Sequence, residues 1–194
     1  MGEPLGRSAP RKSDRTRSAI LTAAREQFAR NSYDKASLRA IAADAGIDPA
    51  MIVRYFTNKE LLFAAAVDID LRLPDLREVP VRRRGEVFTR HFIDQWEGDD
   101  RNEALPILLR SAVTHEGAAE HLRDIFASQV RQIVGPMSDS ADAEARSGLV
   151  SSQLLGLAMA RYVLRLPGIA DVGPDEIVRR IGPTLQRYLT TDLS

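Results

Sequence analysis

Residues 37–59 read SLRAIAADAGIDPAMIVRYFTNK, and the fold of the chain turns on this stretch. Leu38, Ile41, Ala42 and Ala45 recur at i, i+3, i+4 and i+7, the spacing of one apolar helix face. Gly46 stops that helix, because glycine accepts the left-handed conformation that helix ends often require. Asp48 then caps a new helix by accepting an orphan backbone N–H, and Pro49 fits its first position. This second helix runs to about Phe56, with Ile52 and Phe56 turned inward. Asn58 caps a third that opens with Lys59 and Glu60. Two short helices joined by a tight glycine turn form a helix-turn-helix, whose second helix projects as a blunt probe of major-groove width.

Working outward, 194 residues suffice for a sizeable core, in one compact domain or two closely packed ones. Apolar residues at 44% and charged residues at 28% are ordinary for a globular protein. The formal net charge of zero hides an asymmetry: residues 1–60 hold 11 Lys/Arg against 7 Asp/Glu, and the remainder 16 against 20. A basic first third suggests that this part faces a polyanion. With no cysteine, disulfides and thiolate metal sites are excluded. No apolar run approaches the roughly 18–20 residues of a membrane span, so no membrane partner is expected. The first residues, MGEPLGRSAPRKSDR, carry no apolar signal region, and a cytoplasmic location is expected.

In order, the sequence predicts a disordered basic arm at 1–12, a helix-turn-helix domain at 13–60 and a C-terminal domain at 61–194. Ser13 or Asp14 caps the first helix, which runs to about Asn31 with Ile20, Ala24 and Phe28 inward. Arg11, Lys12, Arg15 and Arg17 cluster at its start, where the helix dipole prefers anions. That placement is understandable if phosphates approach this end, although a solvated basic tail has the same composition. Tyr33 is expected to fold back onto the small core.

Residues 16–67 resemble the DNA-binding domain of the tetracycline-repressor (TetR) family. The matching pieces are IL-x-AA-x-x-x-F (Ile20 to Phe28), Tyr33-Asp34, SLRAIAADAGI (Ser37 to Ile47), Pro49 and YF-x-NKE-x-L (Tyr55 to Leu62). The resemblance implies an all-α dimer, with an N-terminal three-helix DNA-binding domain and a helical C-terminal domain for ligand binding and dimerisation. It also implies a repressor released from DNA by a small molecule. Three positions depart from the family pattern: Ser32 replaces the usual glycine, Ala36 a threonine and Val53 a tyrosine. Asn31 or Ser32 must therefore take a strained turn, and Ser37 is the hydroxyl left to cap the second helix.

For DNA contact, Ser37, Arg39 and Lys59 are phosphate candidates, the first and last lying at helix starts. Arg15 belongs to the same set through the basic arm. Arg54 and Tyr55 sit late in the recognition helix, within reach of phosphate or a base edge. Ala50 and Met51 lie at its tip, suited to thymine methyls, although Met51 serves equally as core. Asp48 is included in the DNA-facing set but reads first as a cap. With few side chains able to make bidentate base contacts, part of the specificity is assigned to DNA shape.

Beyond residue 60 the sequence predicts a linking helix from Lys59 to about Leu73, a loop between Pro74 and Pro80, and helices over 81–97, 103–115, 117–134, 141–166 and 174–189. Pro183 should kink the last. No stretch reads as an alternating strand. Gly148, Ser152, Gly156 and Ala160 form a small-residue stripe that, with Ile181 and Leu185, suggests a four-helix dimer interface, close packing within one chain being the other possibility. Phe88, Phe92, Trp96, Phe126, Met159 and Tyr162 line either an apolar ligand pocket or plain core. His91, His115 and His121 lack metal-ligand spacing, and neither a metal nor another cofactor is expected. No Walker loop, GxGxxG or nucleophile signature occurs, so no enzyme is expected.

The expectation is a homodimeric regulator of a double-stranded DNA operator, most simply a repressor released by a small-molecule effector. The competing expectations are an effector-independent or architectural DNA binder, and a ligand-binding protein that has lost DNA reading.

Overall fold

The computed structural model describes residues 12–190 apart from 100, 138 and 139, so the predicted arm at 1–11 lies outside the described residues. Helices supply all the regular structure among the described residues. The chain divides into two compact units, Met1–Asp68 and Ile69–Ser194.

In the first unit, α1 (Lys12–Lys35) packs against α2 (Leu38–Asp44) and α4 (Lys59–Ala66), and α3 (Pro49–Phe56) bridges α2 and α4. Ser13 and Asp14 lie inside the first turn of α1 rather than capping it. Ile20, Ala24, Phe28, Ile41, Ile52, Phe56 and Leu62 are buried together with Tyr33, as their spacing requires. Phe28, Tyr33 and Phe63 form an aromatic cluster: Phe63 meets both other rings edge-on, at centroid distances of 5.0 and 5.1 Å. Polar groups of α1 pin its neighbours. Gln27 Nε2 and Arg30 Nη2 both donate to Asp44 Oδ2, at 2.6 and 2.9 Å, and Arg25 Nε donates to the Ala66 carbonyl at 2.8 Å.

The linking helix ends at Ala66, not near Leu73. From Val67 the chain is non-helical, and its side chains alternate: 67 and 69 are buried, 71 and 73 half-buried, and 68, 70 and 72 exposed. Val-Asp-Ile-Asp-Leu-Arg-Leu has a period-2 pattern, yet, as expected, it forms no strand. Among the described residues the segment pairs with no strand. Instead the Gln129 side chain serves as its hydrogen-bonding edge: Leu71 N donates to Gln129 Oε1 at 2.8 Å, and Gln129 Nε2 donates to the Ile69 carbonyl at 2.7 Å.

The second unit begins with this strap. A 3₁₀ turn at Val81–Arg83 leads into α5 (Arg84–Glu97), followed by α6 (Ala104–Ala112), α7 (Glu116–Ile125) and α8 (Arg131–Val134). Then come α9 (Ser140–Ala158) and α10 (Pro174–Thr190), which continues through Pro183. One π turn, Phe126–Val130, joins α7 to α8, and another, Met159–Val163, extends α9. The core gathers Leu76, Phe88, Val130, Val134, Val150, Leu154, Leu185 and Leu189.

Helices α5 and α10 cross at Gly85 and Gly182. A Cβ on Gly85 would lie 2.3 Å from the Gly182 carbonyl oxygen and 2.5 Å from Gln186 N. Gln186 fastens the crossing, accepting from Gly85 N at 2.8 Å and donating to the Val81 carbonyl at 2.8 Å.

Candidate nucleic-acid interface and ligand cavity

The reading head is built by local capping. Ser37 Oγ accepts from Ala40 N at 3.1 Å and starts α2. Helix α2 ends in a Schellman pair: Ile47 N donates to the Ala42 carbonyl and Gly46 N to the Ala43 carbonyl, with Gly46 at φ 66°. Asp48 Oδ1 accepts from Ala50 N at 2.7 Å and starts α3. The first function of Asp48 is therefore the cap. Asn58 Oδ1 accepts from Leu61 N at 2.8 Å and starts α4.

Two strained residues hold this arrangement. Ser32 has φ 59° and ψ 170°, a region that glycine alone enters freely, so the strained turn falls on Ser32 rather than Asn31. Thr57, between α3 and α4, has φ 66° and ψ −53°. There Asn58 N donates to the Phe56 carbonyl at 2.7 Å, closing a γ-turn of the strained hand. A three-residue turn of this kind leaves little slack between α3 and α4.

With Ile52 and Phe56 anchored inside, α3 turns Ala50, Val53 and Arg54 to solvent. Val53 is 50% exposed, which is unusual for a branched apolar side chain. It was absent from the predicted contact set, although its i+3 spacing from Ala50 could have signalled it. Met51 and Tyr55 are half-buried on the flanks.

The cations of this unit sort into two groups. Arg25 and Arg30 are engaged in holding helices together, and Arg17 lies over the Phe56 ring at 5.3 Å. Arg15, Arg39 and Arg54 are exposed and have no ion pair among the described residues. Lys59 is intermediate. Its Nζ sits 4.5 Å from the Tyr33 ring centroid and donates to the Asp34 carbonyl at 3.3 Å. Burial pushes its pKa below the ordinary lysine value, and the Asp34 carboxylate opposes that shift. The Tyr33 hydroxyl is pushed the other way, first by burial and then by Glu60 and Asp34.

The second unit contains a cavity of about 70 Å³. Its walls are Leu71 and Leu73 of the strap, Phe88, Phe92 and Trp96 of α5, leucines of α6, and Phe126 and Leu154 among others. Four of the six predicted pocket residues line it. Tyr162 instead stacks on Trp96 at 4.4 Å and donates to Glu97 Oε1 at 2.7 Å, and Met159 lies outside the lining. Glu97 is also held by Arg161 Nε at 2.8 Å. Burial raises the Glu97 pKa, but the Arg161 and Tyr162 bonds outweigh it and leave the carboxyl below its ordinary value. Sequence reasoning missed two polar wall residues, His91 and Gln95. His91 Nε2 lies 2.7 Å from the Leu71 carbonyl, so this nitrogen carries the proton and donates.

On α9, Gly148, Ser152 and Gly156 are exposed, and nothing lies within 4 Å of a Cβ placed at either glycine. Ala160 and Ile181 are half-buried. Leu185 is fully buried in its own unit's core, so it cannot face a second copy. Its heptad-like spacing on α10 could not distinguish an inward face from a shared one. His115 caps α7, its Nδ1 accepting from Ala118 N at 3.2 Å. Among the described residues, no helix is long and apolar enough to cross a membrane.

Comparison with known proteins fits this architecture. Residues 20–66 match the family model described as "Bacterial regulatory proteins, tetR family", and residues 83–189 match "Tetracyclin repressor-like, C-terminal domain". A TetR-family regulator from Streptomyces coelicolor A3 is 32% identical, the alignment covering 96% of this chain and 100% of that one, with a TM-score of 0.67. NalD of Pseudomonas aeruginosa, the secondary repressor of the MexAB-OprM multidrug efflux pump, shares the fold at 21% identity, 93% and 100% coverage and a TM-score of 0.70. The HTH-type transcriptional regulator UidR of Escherichia coli K12 is 35% identical over 79 residues. That match spans 41% of this chain and 38% of UidR's length. Two family models that together take in both helical units, and a relative matched from end to end, show that the chain belongs to the TetR family of transcriptional regulators.

Proposed function

We propose that the protein is a dimeric repressor that reads a near-palindromic operator and leaves it when a small molecule occupies the C-terminal cavity. The observation that carries the DNA half is the outward face of α3: Ala50, Val53 and Arg54 stand clear of an anchored helix, and Arg15 and Arg39 of the same unit are exposed with no ion pair among the described residues. Ala50 and Val53 offer apolar contact to thymine methyls, and Arg54 reaches a base edge or phosphate. Arg15, Ser37, Arg39 and Lys59 hold phosphates and set the register. Lys59 gives one N–H to Asp34 and has two left to donate. Tyr55 and Met51 close the flanks.

The open stripe of Gly148, Ser152 and Gly156, with Leu149 36% exposed beside it, supports pairing of α9 with its copy. Two heads then enter major grooves about one helical turn, ~34 Å, apart. Effector control follows from the strap. The chain leaves the DNA-reading unit at Asp68, and Leu71 and Leu73 immediately wall the cavity while Gln129 and His91 hold the backbone of Ile69 and Leu71. A ligand that displaces Leu71 or Leu73 acts on the stretch directly continuous with α4. Differential affinity of the ligand for the two strap positions shifts the population away from the DNA-competent spacing.

The test is enrichment from a pool of random duplexes at low and moderate salt, with mass by light scattering. A dimer that enriches a palindrome sustains the proposal. A dimer that enriches nothing refutes the DNA half, and a monomer that binds single half-sites refutes the assembly.

A further inference from the structure

The outward stripe of α3 is poor in hydrogen-bonding groups for a helix that reads bases. Ile52 and Phe56 anchor the helix, which leaves Ala50, Val53 and Arg54, at i, i+3 and i+4, on one solvent-facing stripe. The nearby Asp48 carboxylate is committed to the cap, its Oδ1 accepting from Ala50 N at 2.7 Å. Arg54 is therefore the one side chain of the stripe that can donate to a base edge. Val53 is 50% exposed. Among the described residues of the DNA-reading unit, Leu61 on α4 is the other large apolar side chain left exposed.

A lone exposed valine on an arbitrary surface means little. On a helix laid in the major groove it constrains the base beneath it. The groove floor presents ring nitrogens, carbonyl oxygens and amino groups, and a single kind of apolar group, the 5-methyl of thymine. Val53 set over a polar edge would strip that edge of water and offer no hydrogen bond in return. Set against a methyl, it forfeits no hydrogen bond, and both apolar surfaces leave water. Its branched Cβ keeps one rotamer in a helix, so the two methyls it presents are fixed rather than swept over several bases. From this placement we infer that Val53 reads the C5-methyl group of a pyrimidine in each half-site, and that the methyl, rather than the base pair carrying it, is the determinant at that position. The inference rests on the proposal that α3 is the DNA-reading helix, and it names the chemical group that the helix selects. Thymine supplies that methyl in unmodified DNA, and 5-methylcytosine supplies the same group on a different pair.

The test starts from the duplex enriched from the random pool and measures its affinity for the full-length protein by fluorescence anisotropy, wild type beside Val53→Ala. Thymines are exchanged for deoxyuridine in symmetry-related pairs, which removes the methyl and leaves base pairing intact. One such exchange is expected to weaken wild-type binding about fourfold per half-site, about fifteenfold for the two, the size of one apolar group returned to water. In Val53→Ala that penalty is lost, while exchanges elsewhere cost the variant what they cost the wild type. A second arm separates the two sources of the methyl. A C·G pair placed at the same position, with and without a 5-methyl on its cytosine, should show the same factor in the wild type and none in Val53→Ala. A deoxyuridine penalty with no matching gain from cytosine methylation overturns the claim that the methyl itself is read. An enriched duplex with no Val53-dependent methyl effect overturns the inference and leaves α3 as the reading helix, whereas a pool that enriches nothing overturns both.

Discussion

Replacing Ser32 with glycine should stabilise the DNA-reading unit. Ser32 sits at φ 59° and ψ 170°, where an L side chain crowds its own backbone. Occupying such a region costs about 1–3 kcal/mol. Against this, glycine widens the unfolded ensemble, a cost of about 0.5–1 kcal/mol. The Ser32 side chain is exposed and makes no hydrogen bond among the described residues, so its removal loses no contact. The net gain for Ser32→Gly is about 0–2.5 kcal/mol, centred near 1 kcal/mol, a rise of several degrees in the melting temperature of a small unit. Urea unfolding followed by circular dichroism measures it, with Ser32→Ala as the control. Alanine keeps the Cβ and therefore the strain, so it should gain nothing. If Ser32→Gly were destabilising, or Ser32→Ala matched it, the strain attributed to this turn would be refuted.

Other perturbations probe the remaining parts. Gly85→Ala drives a methyl into the Gly182 carbonyl and the Gln186 backbone, and should destabilise the second unit by about 1–3 kcal/mol, measurable as a shifted denaturation midpoint. Glu97→Gln weakens the grip on the buried Arg161 guanidinium and should cost about 1 kcal/mol at neutral pH, reduced because Glu97 is partly open to solvent. The folded Glu97 carboxyl titrates below its ordinary value, so its contribution is present above the ordinary carboxylate range and is lost as pH falls through the folded pKa. Wild type and variant should therefore converge in acid, as a pH series of unfolding curves would show. Lys59→Ala should weaken binding to every DNA sequence and also lower stability, since Lys59 lies on Tyr33 and donates to Asp34, so both affinity and melting must be read.

The parts of the fold legible from sequence were those encoded locally. Ser37, Gly46, Asp48 and Asn58 each act within three residues of themselves, so one stretch sufficed to place α2, α3 and the start of α4. The turn at Ser32 was foreseeable because the resemblance set a serine where the geometry favours glycine. The strap at 67–73 was harder, because its apolar residues also suit helical spacing. Its backbone is held instead by the Gln129 amide, 58 residues away from Leu71, and by His91. The Gly85–Gly182 crossing and the inward turn of Leu185 are likewise tertiary. For the cavity, aromatic spacing on α5 found Phe88, Phe92 and Trp96, but nothing in a row of letters distinguished Gln95 from an ordinary surface glutamine.

The central claim, that paired heads grip phosphates through unpartnered cations, is tested most directly at Arg39. It is exposed and has no ion pair among the described residues, so Arg39→Ala should leave the fold untouched. The measurement is the slope of log affinity against log salt for the enriched duplex, wild type beside variant. Each phosphate contact contributes about −0.9 to that slope. A dimer losing one contact per head should flatten it by about 1.8 while keeping its sequence preference. An unchanged slope, or an altered sequence preference at constant slope, would contradict the account.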